Sequence, residues 1–335
     1  MPTPIEIKPL PAGTARPRIS VVIPTYEPRK FLVDALKSVL AQDPGADQMQ
    51  IAIVDDGSRN ARPAALVESA SGLGRVEIHE HDENVGLARN WNRAISLARG
   101  EFIHLLHQDD VVCPGFYARM IEGLTSSARV GMAFCRHAYI DEHDSIDRIS
   151  HRERWRAGIL PHWLERISER QLVQCPAVIV KREAYERLGG FTTGLRYALD
   201  WEMWVRIATR YDVWYEPAVL AHYRRHSGAE TARLEAAGHI NLDLMNAVEM
   251  FSSYLPSAQR DRLRQRAYRR LAHLHLRRAS KSLKARFQQR AAEQVDGARA
   301  ALERLPDDLA KRWMKAKLIR LEARLASCAT LPSSR

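Results

Sequence analysis

The chain has 335 residues, 45% hydrophobic and 27% charged, a balance that suits a soluble globular protein and excludes wholesale disorder. That length allows one large domain or two ordinary ones, with a core that needs neither disulfides nor zinc. The net charge of +11 is confined to the end: residues 1–229 carry 29 basic and 29 acidic side chains, residues 230–335 carry 22 and 11.

Taken in order, residues 1–17 are rich in proline and small residues and read as a flexible lead-in, without the apolar stretch of a signal peptide. Ile19-Ser20-Val21-Val22-Ile23-Pro24 reads as a strand buried on both faces. Apolar residues at 32, 35, 36, 39 and 40 then predict a helix over 31–40. Ile51–Val54 is a second buried strand, ended by the turn residues Asp55-Asp56-Gly57-Ser58, and Val76–Ile78 a third. Residues 85–99 read as a helix stopped by Gly100, and Phe102–Leu106 as a fourth strand running into His107-Gln108-Asp109-Asp110. Strands alternating with helices over this stretch predict βαβ units and a mostly parallel sheet. Strands at 130–134 and 178–180 and helices at 183–188 and 201–209 follow. From about 235 the chain reads as helical, with 260–306 forming a helical hairpin closed by Pro306. The four cysteines are scattered and read as buried thiols of a reducing compartment. No run of about 18 apolar residues is present, and the expected location is cytoplasmic.

Ligands of parallel sheets sit beyond the carboxyl ends of the strands, where both acidic clusters fall. Asp109 and Asp110 would hold Mg²⁺ or Mn²⁺, or Asp110 caps the turn before Pro114. Asp55 and Asp56 precede Gly57-Ser58, which is ordinary turn chemistry; a carboxylate there also suits a nucleobase or ribose. No GxGxxG or GxxxxGK[ST] follows the first strand, which removes the main support for dinucleotide and P-loop readings.

Several motifs in order carry a resemblance: Ser20–Tyr26, Val54-Asp55-Asp56-Gly57-Ser58, Asn84–Asn90, Leu106–Asp110, Gly189-Gly190-Phe191, Asp200-Trp201-Glu202 and Tyr223-Arg224-Arg225-His226. Over roughly residues 18–230 the chain resembles the family 2 glycosyltransferases of GT-A fold. The resemblance implies an α/β fold, a Rossmann-like mostly parallel sheet flanked by helices, followed by a helical extension over 231–335. It implies a nucleotide-diphosphate-sugar donor, UDP- or dTDP-linked, near Pro24, Thr25, Tyr26, Glu27, Asp55, Asp56, Asn84, Arg89, Gln108 and Asp109. Asp109 matches the last aspartate of the family's DxD motif, and Asp109, Asp110 and His226 would hold Mn²⁺ or Mg²⁺. Asp200 matches the inverting general base that deprotonates an acceptor hydroxyl on a glycan or glycolipid. Two positions depart from the pattern: His107 stands where the first DxD aspartate is usual, and Leu199 where an acidic neighbour often precedes the base.

The same residues have plainer readings. Asp200 would N-cap the amphipathic helix that follows, His226 would be a loop histidine, and Arg224 and Arg225 would be a solvated turn rather than diphosphate contacts. Trp91, Trp163 and Trp204 read as core, and Trp201 as core or a sugar platform beside the base. The basic stretch 256–335 reads as a helical hairpin with a charged outer face, or as a surface that meets anionic lipid at the inner face of a membrane. Nucleic-acid binding lacks any accompanying motif. The function expected is a metal-dependent inverting glycosyltransferase of polysaccharide biosynthesis. The alternatives are a sugar-phosphate nucleotidyltransferase and a non-catalytic adaptor using the basic helices.

Overall fold

A computed structural model describes residues 4–236 and 238–329. The chain divides into two compact units: the first takes the chain up to Trp163 and Leu172–Ala229, the second Leu164–Gln171 and the chain from Glu230 onward.

In the first unit the elements run β1 (Ile19–Thr25), α1 (Phe31–Leu40), β2 (Met49–Asp55), α2 (Pro63–Ser69), β3 (Glu77–Glu80), α3 (Leu87–Leu97) and β4 (Phe102–Leu105). There follow β5 (Val111–Val112), α4 (Phe116–Thr125), β6 (Val130–Ile140), β7 (Ile146–Ile149) and β8 (Gly158–Ile159). Helix α5 (Trp163–Glu169) passes into the second unit. The first unit resumes with β9 (Val178–Lys181), α6 (Arg182–Leu188), α7 (Leu199–Ala208) and β10 (Asp212–Arg224). The main sheet order is β3-β2-β1-β4-β9-β6-β10-β5. Strands β1 to β4 are mutually parallel, β9 runs antiparallel to β4 and β6, and β10 parallels β6. The α/β fold with a sheet flanked by helices therefore stands, but the sheet is mixed rather than mostly parallel: β1 to β4 are parallel, and most pairings beyond them are antiparallel.

Strands β1 and β2 are buried along their whole length, which is why they read as continuous apolar runs. Their polar exceptions are matched to each other: Ser20 Oγ donates to Gln50 Oε1 and accepts from the Gly100 N–H. Gly100 must be glycine, since a Cβ would stand 2.4 Å from the Ser20 nitrogen.

Two further sequence expectations are corrected in this unit. The lead-in is not loose over its described part: Ile7 is buried, Ile5 C=O accepts from Gly190 N–H, and Lys8 C=O from the buried Arg182. Prolines remove backbone donors, but the carbonyls and Ile7 still dock on the fold. Asp200 does not cap α7, because the N-cap is Ala198 and Asp200 lies inside the first turn.

A buried ion pair holds the turn that leads to α7. Arg206 meets Glu202 at 2.9 Å and also donates to the carbonyls of Leu188, Gly189 and Gly190. Asn92 of α3 grips the next residue, donating to Phe191 C=O at 2.8 Å and accepting from its N–H at 2.7 Å. Both Glu202 and Arg206 are almost wholly inaccessible, so removing one partner strands a buried charge. Glu202→Ala should cost about 3–5 kcal/mol, read as a shift of the urea midpoint. A loss under about 1 kcal/mol would show that the three carbonyls alone satisfy Arg206.

The second unit holds α8 (Glu230–Ala236), α9 (Ile240–Ser252), α10 (Ser257–Lys284), α11 (Gln288–Glu303) and α12 (Leu309–Ala329). Leu263, Ala267, Leu271, Leu276 and Ala279 line the buried side of α10. Val295 and Ala298 of α11 and Met314, Leu318 and Leu321 of α12 are buried too. The expected hairpin over 260–306 is followed by a third long helix. Pro306 does end α11, but Asp308 then accepts from the Lys311 N–H at 2.8 Å and starts α12. Of the cysteines, Cys135 and Cys175 are buried and Cys113 half-buried, all three unbridged; the side chain of Cys328 lies outside the described residues. Among the described residues, no helix is long and apolar enough to cross a membrane.

Candidate active site

Parallel pairing sets Thr25 beside Asp55 at the carboxyl ends of β1 and β2. Strand β4 ends at the same edge of the sheet, so residues 106–110 continue into the space beyond it. Most of the polar residues expected from sequence therefore gather at one place.

The β1–β2 side is tightly braced. Asp55 accepts from Thr25 Oγ1 at 2.8 Å, from Ser58 Oγ at 2.7 Å and from Ser58 N–H at 2.8 Å. Its carboxylate shapes the turn from within. Asp56 accepts from the N–H groups of Val85 and Gly86, anchoring the start of α3. Burial pushes its carboxyl above the ordinary value despite those two donors. Gly57 has φ +70° and a Cβ there would lie 2.5 Å from the Glu83 backbone, so the turn demands glycine. Glu27 accepts from the N–H groups of Arg59 and Asn60, which hold its carboxyl low. Tyr26 N–H donates to Gln108 Oε1, and Gln108 Nε2 donates back to Tyr26 C=O, tying the first loop to the fourth. Pro24 is buried, Tyr26 is 41% exposed, and Asn84 and Arg89 are exposed.

The β4 side carries the acids. His107, Asp109 and Asp110 each offer an atom, and these lie within 4.8 Å of one another. His226 Nε2 is 3.0 Å from Asp109 Oδ2. It arrives there because β10 brings the Arg224 N–H to Asp110 Oδ1 at 2.8 Å. Asp110 is wholly buried, and its other oxygen, Oδ2, has no partner among the described residues except His107 Nδ1, an ion pair 3.3 Å away. Burial and then the neighbouring Asp109 push the Asp110 carboxyl up to about 6. His107 is raised well above its usual value, because Cys175 and Asp110 outweigh its burial.

Two adjacent carboxylates with the His226 imidazole are a donor set that suits a divalent cation, which His107 would join on giving up its proton. The residues present fit the metal expected from sequence, with His107 added to Asp109, Asp110 and His226. The apparent departure at His107 thus falls inside the cluster.

Asp200 stands in the first turn of α7, where Trp201 N–H donates to Oδ1 at 2.6 Å. Its charge acts on the Cys175 thiol, which also lies against His107, so the base candidate and the acidic cluster share one neighbourhood. Cys175 is the residue that sequence reading missed here. It precedes β9, far from either partner in the chain, and no local signal marks it.

Other expectations resolve differently. Trp201 is 1% exposed and belongs to the core with Trp91, Trp163 and Trp204, so it offers no sugar platform. Trp91 does touch the site, its ring 5.0 Å from that of His107. Arg224 is no solvated turn: it is buried, lies over the Phe31 ring and donates to Asp109 C=O and Asp144.

Comparison with known proteins adds to this geometry. The family model "Glycosyl transferase family 2" matches residues 20–189, just over half of the chain. An uncharacterized protein of Mycobacterium tuberculosis, MT1568, is 28% identical over 68% of this chain and 74% of its own length. An uncharacterized glycosyltransferase of Methanocaldococcus jannaschii, MJ1057, is 24% identical over 57% of this chain and 64% of its own. Among solved structures, S. aureus TarS residues 1–349 with UDP-GlcNAc superposes with TM-score 0.65 at 14% identity, covering 95% of this chain and 93% of that one. The mannosyltransferase PcManGT of Pyrobaculum calidifontis, with GDP-Man and Mn²⁺, superposes with TM-score 0.53 at 20% identity over 97% and 90%. At these identities the structures establish a shared fold.

Proposed function

The chain belongs to glycosyl transferase family 2, and from that premise we propose that it is a metal-dependent, inverting enzyme. It moves a sugar from a UDP- or dTDP-sugar to a hydroxyl of a glycan or glycolipid. Glycosyltransferase activity follows from the family; donor, metal and stereochemistry are the proposal. The observation that carries it is the wholly buried Asp110 carboxylate, set among Asp109, His107 and His226 at the carboxyl edge of the sheet. Two structural neighbours hold nucleotide-sugars and one holds Mn²⁺, which supports the same reading.

In this reading the donor chemistry resides in the domain of residues 18–230, and the basic extension over 231–335 is separate from it. The nucleoside lies against Tyr26 and Glu27, with Pro24, Thr25, Asp55 and Asp56 keeping that wall in shape. Asn84 and Arg89 face the nucleotide-sugar from the start of α3, and Gln108 joins the two walls. Asp109, Asp110 and His226, with His107, would hold Mn²⁺ or Mg²⁺, which supplies positive charge to the departing diphosphate. Asp200 takes the proton of the acceptor hydroxyl while that oxygen forms its bond to the anomeric carbon. The bond to the diphosphate breaks on the opposite face and its electrons leave with the diphosphate, so configuration inverts.

The nucleotidyltransferase alternative needs a glycine-rich nucleotide loop after the first strand, and residues 26–30 contain no glycine. The adaptor alternative makes no use of the acidic cluster. A panel of nucleotide-sugars with Mn²⁺ tests the proposal. A matched donor at about 100 times its Kd stabilises the fold by about 2.7 kcal/mol, a rise of roughly 5 °C or more in melting temperature. Silence across UDP- and dTDP-sugars would remove the donor assignment.

A further inference from the structure

Helix α12 carries six basic side chains and one acid. That acid, Glu322, is paired with Arg299 of α11, so it leaves the outward face uncompensated. The inner side of α12 buries Met314, Leu318 and Leu321. Its outer side leaves large apolar groups in water: Leu309 is 83% exposed, Trp313 60% and Ile319 55%. Leu309, Trp313, Ala316 and Arg320 follow one another at steps of four, three and four, so they share one helical face.

Helix α10 extends that face. Its His273 ring lies 6.0 Å from the Trp313 ring, and Arg266, Arg270, His273 and Arg277 recur outward at steps of four, three and four. Arg266 is neutralised by Glu165 of α5. Arg270, Arg277, Lys315, Lys317, Arg320 and Arg324 have no ion-pair partner among the described residues. Arg270 is instead crowded by Arg170 and Arg277, with Glu169 the one opposing charge.

We infer that the face formed by α10 and α12 docks on an anionic lipid bilayer. Leu309, Trp313 and Ile319 enter the boundary between headgroups and acyl chains, and Arg270, Arg277, Lys317 and Arg320 meet lipid phosphates. Cations ringing exposed aliphatic and indole side chains are what an interfacial helix presents. A nucleic acid would use the charge but has no need of exposed Leu309 and Ile319, which offer no stacking plane. A second copy would bring the same unneutralised cations against these ones. The inference is independent of which donor the enzyme uses, so neither can fail on the other's account.

Sedimentation of the full chain with sucrose-loaded vesicles tests it. Vesicles with about 30 mol % phosphatidylglycerol should bind at least tenfold more tightly than phosphatidylcholine alone, and salt should weaken the difference. Leu309→Ser with Trp313→Ser should reduce binding about tenfold, and Arg270→Gln with Arg277→Gln by a similar factor. Unchanged circular dichroism and melting establish that both variants fold; the charge pair lies on the surface and serves if the apolar pair does not. Absence of a preference for anionic vesicles overturns the inference, as does wild-type binding by both folded variants. So does retention of duplex nucleic acid, or a dimer in sedimentation velocity, that the same substitutions abolish while vesicles remain unbound.

Discussion

Asp200→Asn is expected to lower the transfer rate by about 10³-fold while leaving donor affinity within threefold of wild type. The substitution keeps the shape of the side chain, and an amide oxygen still accepts from the Trp201 N–H that holds Oδ1. What it removes is the capacity to take a proton. Asp200 also sits in the first turn of α7, where a negative charge meets the positive end of the helix, so its loss costs about 0.3–1 kcal/mol of stability. That cost is too small to unfold the domain. Pre-steady-state transfer, donor titration and melting together separate the cases. A parallel fall in donor affinity would assign Asp200 to the donor pocket, and a rate within tenfold of wild type would place the base elsewhere.

Strands β1 and β2 were legible because they are buried on both faces and therefore nearly uninterrupted apolar runs. Asp55, Asp56 and residues 107–110 followed from them, since a parallel sheet puts its polar loops at the strand ends. Strand β10 was not legible. It spans 13 residues with half-buried positions and register shifts around Glu216–Ala221, so no clean alternation marks it. Yet β10 is what carries Arg224 to Asp110 and His226 to Asp109, contacts spanning more than 100 residues. The same limit hid Cys175, whose partner His107 lies on another strand end. Helix α12 lies in the stretch read as helical, but the expected hairpin stopped short of it for a local reason: Pro306 stops one helix, and the cap at Asp308 begins the next two residues later. His107 read only as a departure from the DxD pattern because spacing alone does not show that an imidazole reaches the same cluster as the aspartates.

Asp109→Asn should weaken Mn²⁺ binding at least 100-fold and transfer about 10³-fold, yet leave the ion-free protein as stable as wild type or more so. The reasoning starts from the two adjacent carboxylates. Asp110 is buried, and the charge of Asp109 is the largest influence after burial in raising its pKa to about 6. A carboxyl whose folded value lies above its unfolded value favours the fold when protonated. That contribution is present in acid and is lost as pH rises through about 6, so at neutral pH ionised Asp110 is a cost to the ion-free fold. Removing the neighbouring charge lets the Asp110 value fall and reduces the cost, while an amide at 109 still bonds to His226. The pairing of acids is thus unfavourable in the ion-free fold, and bound Mn²⁺ is expected to relieve it. Electron paramagnetic resonance of free Mn²⁺ gives the affinity, and melting at pH 7 gives the stability. Mn²⁺ affinity within threefold of wild type would remove Asp109 from the cluster, and a melting temperature more than about 5 °C lower would make its role structural.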